Sequence, residues 1–250
     1  MANLYVISDV HGYFDEMIAA LNEAGFDSNN ENSWLIVCGD TTDRGPKPKE
    51  VIDYLSGLPR CVLISGNHEG LVMDCINRTY PARHDWSNGT AQTIIDLAPH
   101  AKTFRDACMV AYETFGPFVD KMVDYFETKN YIFVHSFVPL KCNDNLPKHY
   151  IKNRKFEIDP DWRHAHHDAW ECARWGNPYE LAEQGFLPDK TLVFGHYHTS
   201  WPRCYYEGKP EFGDGEDFSP YYGDGYIAID GCTAYSGKVN VLVLEDEFLD

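Results

Sequence analysis

Five short stretches of this chain bring carboxylate, imidazole, amide and guanidinium groups together within a few residues. They are Asp9-Val10-His11-Gly12, Gly39-Asp40-Thr41-Thr42-Asp43-Arg44-Gly45, Gly66-Asn67-His68-Glu69, His135-Ser136 and Gly195-His196-Tyr197-His198. Carboxylate and imidazole donors suit zinc, iron or manganese, and the lack of clustered thiolates argues against a cysteine-based zinc site. Asp, His, Asp, Asn, His, His and His are more ligands than one tetrahedral ion takes. They fit two ions that share one carboxylate. Two-metal sites hold their ions about 3.5–4 Å apart and clamp both the attacking and the leaving oxygen of an in-line phosphoryl displacement. Such ions also make hydroxide available near neutral pH, so no serine or cysteine nucleophile is required. The G-x-S-x-G nucleophile motif is absent from the sequence.

Each stretch also has an ordinary reading. Asp9 suits an Asx turn, Asn67 suits the cap of a following helix, and Asp43 beside Arg44 is a common surface ion pair. A lone His135 after a strand is more often structural than a ligand. His196 and His198 share one face of an extended segment, which two histidines can do by chance. Placement sets these readings aside. All five stretches follow apolar runs with strand character: Leu4–Ile7, Trp34–Cys38, Cys61–Ser65, Tyr131–Val134 and Thr191–Phe194. In an α/β sheet the loops at the carboxyl ends of strands converge on the ligand crevice. Residues far apart in sequence are therefore expected to meet.

Between these strands the apolar spacing predicts helices over Phe14–Ala24, closed by Gly25, and over Lys47–Leu58, begun by Pro46 and Pro48. A further short helix is expected from Glu69. Alternating strands and helices predict a β-α-β core. Residues 90–128 read as mostly helical, broken near Pro99 and Pro117. Residues 141–190 are polar and irregular, with helical character around Ala169–Trp175. Residues 200–225 suit a long loop or an irregular hairpin. Tyr226–Ile229 and Lys238–Leu244 close the chain as strands. With no linker or repeat, the expectation is one domain over residues 1–250 with a mainly helical insertion at about 75–128.

The 250 residues carry a net charge of −18. That excludes a non-specific nucleic-acid binder, which needs a basic face, and a polybasic membrane anchor. It does not exclude an anionic substrate, because a metal or an arginine inverts the local field. None of the eight cysteines falls in a C-x-x-C pair, and several lie in apolar runs. This reads as a reduced, cytoplasmic protein. Neither a signal segment nor a bilayer-spanning run is expected. The chain is expected to be a monomer.

In their order and spacing, SDVHG (8–12), GDTTDRG (39–45), GNHE (66–69), HSF (135–137) and FGHYH (194–198) resemble the motifs of the metallophosphoesterases. Within them they resemble the phosphoprotein phosphatases that include bacterial and phage serine/threonine enzymes. The C-terminal YIAIDGCTAYSGKVNVLVLE is similar to that family's last two strands. The likeness is weak over about 75–128 and 140–190. It implies an α/β fold of two facing mixed β-sheets flanked by helices. Asp9 and His11 are implied to hold one metal, Asp40 to bridge, and Asn67, His135 and His196 to hold the second, with manganese preferred over iron or zinc. Attack by a metal-bound hydroxide is implied, with His68 as general acid oriented by Asp43. Arg44, Arg174 and Asn67 are implied to hold the substrate phosphate.

Ser8 replaces a glycine of the first motif, and Phe137 stands where the family often has glycine. His198 is an additional histidine that the wider superfamily uses as a ligand, and is counted as one here. It loosens the assignment to the protein phosphatases. Phosphoserine and phosphothreonine in proteins are the expected substrates. A diadenosine tetraphosphatase-like enzyme is the alternative, and a non-catalytic metal-binding module a third reading. The Arg163–Asp168 stretch and the Gly213–Asp217 run read as solvated loops. The aromatics Trp201, Tyr205, Tyr206, Phe212, Phe218, Tyr221 and Tyr222 either line a groove beside the metals or pack the loop that carries them.

Overall fold

The computed structural model describes residues 1–141, 157–185 and 187–249. The chain opens with β1 (Ala2–Ile7), α1 (Phe14–Glu23), β2 (Ser33–Cys38), α2 (Pro48–Gly57) and β3 (Cys61–Ile64). A helical run follows: α3 (Asn67–Arg78), α4 (Arg83–Asn88), α5 (Thr90–Leu97) and α6 (Phe104–Val119). Then come β4 (Phe126–Glu127), β5 (Tyr131–Phe133), the short pair β6 (Leu140–Lys141) and β7 (Glu157–Ile158), α7 (His167–Ala173) and α8 (Pro178–Glu183). Last are β8 (Thr191–Phe194), α9 (Ser200–Glu207), β9 (Tyr221–Gly223), β10 (Tyr226–Ala228), α10 (Thr233–Ser236) and β11 (Leu242–Asp246).

Two mixed sheets form. One runs β11-β1-β2-β3, with β1, β2 and β3 parallel and β11 antiparallel. The other runs β4-β5-β8-β10-β9, with β5, β8 and β10 parallel and both outer strands antiparallel. The period of two along each strand divides its side chains between two cores. Leu4, Val6, Ile36, Cys38 and Ile64 meet Phe133, Val193 and Ile227 between the sheets. Tyr5, Ile7, Leu35 and Val37 turn the other way, against Met17, Leu21, Val51, Val72 and Phe115 from the helices. On the far side, Ile132, Leu192 and Phe194 pack on Trp170, Tyr179 and Leu181. The result is helices, sheet, sheet, helices, the α/β arrangement the sequence resemblance implies. Both faces of the parallel strands are covered, so they read as continuous apolar runs. Ile36 and Val193 are fully buried, each worth about 1.5–3 kcal/mol, which fixes the pairing register.

A carboxylate clips the sheets together. Asp246, at the end of β11, accepts hydrogen bonds from Thr128 Oγ1 (2.7 Å), Asn130 N (2.9 Å) and Asn130 Nδ2 (2.6 Å) in the turn between β4 and β5.

Three sequence expectations need correction. Pro117 does not break a helix: it lies inside α6, which continues to Val119. So near the helix end, the missing N–H forfeits only the bond that Glu113 would accept. Residues 200–207 are helical, with Pro202 in the first turn, where a proline is tolerated. The stacked rings of Tyr179, Trp201 and Tyr205 tie that helix to α8. The last strand starts at Leu242, later than expected, and just before it the Asn240 side chain donates to Phe218 O and Ile229 O. The expected break near Pro99 is found, with α5 ending at Leu97. Part of the stretch read as irregular, residues 142–156, lies outside the described residues.

Candidate active site

Loops from the carboxyl ends of β1, β2, β3, β5 and β8 converge at one edge of the two sheets. Their backbones are unusual. Asp9, His11, Asp40, Asp43, Arg44 and His196 all have positive φ, between 50° and 69°. Only two other non-glycine residues do among those described, Thr79 and Cys232. Left-handed backbone at a non-glycine residue costs about 1–3 kcal/mol and persists where surrounding contacts over-determine it. Here the contacts are identifiable. His11 N donates to Asp40 O (2.9 Å), Gly12 N to Thr41 O (2.9 Å) and Gly45 N to His11 O (2.8 Å), stitching the first two loops together. The flanking glycines leave no room for a side chain. A Cβ at Gly66 would come within 2.2 Å of Asp40 Oδ1, and one at Gly195 within 2.1 Å of Asp9 Oδ2.

Two donor groups share Asp40. His11, Asp40 and His68 form one, and Asp40, His135 and His196 the other; in each, the ligand atoms lie within 4.8 Å of one another. The imidazoles are oriented from behind. His11 Nδ1 lies 3.0 Å from Thr42 O, and His135 Nδ1 2.8 Å from Cys38 O. A carbonyl at that nitrogen takes its N–H and leaves Nε2 as a bare lone pair. His135 Nε2 then faces Asn67 Oδ1 at 2.8 Å, His196 Nδ1 at 3.1 Å and Asp40 Oδ1 at 3.5 Å. His11 Nε2 faces Asp40 Oδ2 at 3.7 Å. Acceptor atoms converging without protons between them suit cations, and oxygen with neutral nitrogen suits zinc, iron or manganese. Burial pushes the His11 and His196 imidazoles down to about 3, keeping them neutral. Burial alone would raise Asp40, but His135, His68 and His11 outweigh it and hold this carboxyl well below the usual range. Asp9 lies beside this centre, its Oδ2 accepting from His196 N at 2.9 Å. Burial, then Asp230 and Asp40, push its carboxyl well up. Crowded buried carboxyls of this kind are what bound cations neutralise.

His68 makes the contact that the sequence assigned to it. Its Nδ1 lies 2.7 Å from Asp43 Oδ2. Asp43 is itself held by α5: Thr90 Oγ1 donates to Oδ2 (2.6 Å), and Asp43 N donates to Thr93 Oγ1 (3.1 Å). Burial by itself lowers His68, but Asp40 and Asp43 more than reverse this and raise its pKa. Arg44 is exposed and bridges the imidazoles, with Nη1 2.6 Å from His11 Nε2 and Nη2 3.0 Å from His68 Nε2. It opens onto a cavity of about 240 Å³ that His11, His196, His198 and Asp230 also line.

Two further expected residues stand at the margin of these groups. His198 lines that cavity but joins neither donor group; its Nδ1 is 2.9 Å from Ser200 Oγ and its Nε2 3.3 Å from Glu211. Arg174 is buried, ion-paired to Asp124, and lines a separate cavity of about 190 Å³ with Asn67. Other residues were missed in the sequence. Glu69, fully buried, accepts from Gly66 N (2.7 Å), Asp40 N (3.0 Å), Thr41 N (2.8 Å) and Thr41 Oγ1 (2.8 Å). Its place three residues after the helix cap Gly66 is a readable signal. Asp230 follows β10 and lines the cavity; burial, with Asp40, raises its carboxyl to about 7. It is one more carboxylate at the end of a parallel strand, the same signal as the others. Thr90 and Thr93 carry no local sign.

Known proteins fit this geometry. Residues 2–200 match the family model described as calcineurin-like phosphoesterase. The symmetrical bis(5'-nucleosyl)-tetraphosphatase of Citrobacter koseri is 44% identical over 66 residues, 26% of this chain and 23% of that protein. The chain thus matches about a quarter of that relative's length. The asymmetrical bis(5'-nucleosyl)-tetraphosphatase PrpE of Bacillus velezensis is 25% identical over 217 residues, 79% of this chain and 78% of the relative. A crystal structure of a candidate diadenosine tetraphosphatase superposes with a TM-score of 0.57 at 15% identity, covering 97% of this chain and 89% of its own, a likeness of fold alone. The match over residues 2–200, most of the length, places the chain in the calcineurin-like phosphoesterase family.

Proposed function

We propose that this chain hydrolyses the phosphoryl group of a substrate held at Arg44, with His68 as the general acid. The observation that carries this is the His68 Nδ1 to Asp43 Oδ2 contact of 2.7 Å, with Arg44 3.0 Å from the opposite ring nitrogen. Asp9, His11, Asp40, Asn67, His135 and His196 are assigned to two divalent cations, with manganese preferred. When bound, the cations supply an activated water and neutralise charge on the phosphoryl oxygens. Asp43 accepts from Nδ1–H and favours the doubly protonated ring, whose Nε2–H then protonates the departing oxygen. Arg44 has no carboxylate partner among the described residues and can swing from the imidazoles onto two phosphoryl oxygens, which its planar fork suits. Asp43 is turned to His68 and leaves Arg44 available. Arg174 and Asn67 are assigned to a second contact with the substrate, on the other side of Asn67.

Phosphoserine and phosphothreonine in proteins remain one substrate reading. A second, dinucleoside polyphosphates, is favoured by the relative that spans 79% of the chain and carries that name. Both need the same phosphoryl chemistry. The test is phosphate release from phosphopeptides, and nucleotide release from diadenosine tetraphosphate, by manganese-loaded wild type and His68→Ala. General acids contribute about 10²–10⁴-fold, so the variant should lose that much in kcat while retaining its metals. Equal rates with both metals bound would refute the assignment.

A further inference from the structure

Neither substrate reading uses the aromatic side chains beside the cavity. His198 forms part of the cavity wall, and its ring packs on Phe212 with centroids 5.0 Å apart and on Phe218 at 6.1 Å. Phe212 meets Tyr235 edge to face at 5.0 Å, and Tyr235 directly follows the wall residue Ala234. Phe218 is buried beneath them at 3% exposure, whereas Phe212 and Tyr235 are 47% and 53% exposed. A strip of ring surface therefore runs from the wall of the phosphate cavity out to solvent. Isolated exposed aromatics need no explanation, but these two are continuous with the site. The cavity, at about 240 Å³, falls below the range of about 300–1,000 Å³ that encloses a whole small-molecule ligand. It takes the phosphoryl end and leaves the rest of the ligand outside, over this strip.

The acidic residues of the same loop do not point to a basic peptide. Glu211 pairs with His198 (3.3 Å), Glu216 accepts from Gly213 N (2.6 Å), and Asp217 is engaged by Arg203 (2.9 Å) and Ser219 (2.7 Å). Three of the four acidic residues at 211–217 are thus engaged within the loop, Asp214 being the fourth, and the surface continuous with the cavity wall is aromatic. A phosphotyrosine ring is bonded directly to the ester oxygen and stays close to the phosphoryl group. A nucleobase stands off from its phosphate by a ribose and reaches further.

We propose that Phe212 and Tyr235, backed by His198, form a stacking shelf for the nucleobase of a nucleoside phosphate whose phosphoryl end lies at Arg44. The proposal rests on the phosphohydrolase reading and chooses between its two substrate classes. Aromatic stacking on a base is worth about 1–3 kcal/mol by alanine substitution, or about 5- to 150-fold in affinity.

The test is calorimetric titration of the manganese-loaded protein with two ligands that cannot be hydrolysed: the 5′-methylenephosphonate of adenosine and its base-free ribose counterpart. Wild type should bind the adenosine compound at least about fivefold more tightly. The Phe212→Ala/Tyr235→Ala double variant should lose that preference through weaker adenosine binding, with ribose binding unchanged. Phe212→Trp should restore it in the Tyr235→Ala background. Equal binding of both ligands by wild type, or a preference that survives in the double variant, overturns the shelf. So does tighter binding of a phosphonomethylphenylalanine peptide that the double variant loses, because the shelf then belongs to phosphotyrosine. Hydrolysis by wild type of either a phosphopeptide or diadenosine tetraphosphate is scored separately. Its absence counts against the phosphohydrolase reading, while the calorimetric preference still reports on the shelf.

Discussion

Replacing Glu69 by glutamine exchanges one oxygen for an amide nitrogen at a position with no solvent exposure. The wild-type carboxylate accepts four hydrogen bonds, two at each oxygen: Thr41 N and Thr41 Oγ1 at Oε1, Asp40 N and Gly66 N at Oε2. Glutamine keeps one acceptor, best used for the pair from Thr41. Its amide nitrogen then faces two N–H groups, donor against donor. Each buried donor left without a partner costs about 1–3 kcal/mol, so the gross loss is about 2–6 kcal/mol. A neutral amide is easier to bury than a carboxylate, which offsets part of this. A net destabilisation of about 3 kcal/mol follows, a large share of the roughly 5–15 kcal/mol typical of folded proteins. Equilibrium urea unfolding of the chelator-treated protein at pH 7 reads this as a midpoint lower by about 1 M or more, given a slope of roughly 1–3 kcal/mol per M. The same loss releases Asp40, whose φ of 54° is pinned through its own N–H. Manganese affinity, titrated separately, should therefore fall as well. An unfolding midpoint at the wild-type value together with unchanged metal affinity would show that Glu69 is not what holds the second and third loops together.

Asp43→Asn removes an anion that raises the His68 pKa. A general acid works while protonated, so the alkaline limb of the kcat–pH profile should move to lower pH; a limb that stays in place contradicts the pairing. Chelation should lower the thermal midpoint, because a cation at 100 times its dissociation constant contributes about 2.7 kcal/mol to the folded state. A melting curve indifferent to both chelator and added manganese would argue against a metal centre. Far from the site, Glu127 is held down to about 2 by Arg163, with burial opposing and Lys190 helping. A depressed carboxyl adds stability above its unfolded value, and that stability is lost as pH falls towards the folded value. Glu127→Gln should thus cost about 1–2 kcal/mol at pH 6, after allowance for solvent screening, and the gap to wild type should close as pH falls below about 4.5. A gap that widens in acid has the wrong sign for this linkage.

The parts of the site legible in the sequence share one physical circumstance. Asp9, Asp40, Asn67, His135 and His196 each follow a strand whose continuous apolar pattern marks it as covered on both faces, so strand and loop announce each other. Asp230 is equally legible by that rule, since it follows β10. Glu69 was visible as part of a motif, yet its role is invisible locally: three of its four donors come from residues 28 or 29 positions away. Thr90 and Thr93 lie 47 and 50 residues from Asp43 on a helix whose apolar spacing explains it completely without them. The helix Ser200–Glu207 was hidden because its aromatic and proline content reads as loop, while ring stacking on α8 overrides that local preference.

The backbone explains why loops this poor in ordinary turn chemistry are nonetheless specified. Local propensity opposes positive φ at six site residues, a conflict of about 1–3 kcal/mol each. A sequence that only maximised stability would put glycine or asparagine there. Asp40 and His11 stand there instead because their side chains must reach a common centre, and the left-handed turn aims them while their N–H groups bond across the loops. The glycines are placed beside them, at 39, 45, 66 and 195, where a Cβ would strike a neighbouring loop at 2.1–2.6 Å. The alternation of strained residue and spacer glycine is thus one device. The glycine lets two loops touch, the touching loops hold the strained residue, and the strained residue points its donor inward. A substitution such as Gly195→Ala leaves every donor in the sequence and still dismantles the centre, because it moves the loop that Asp9 and His196 share.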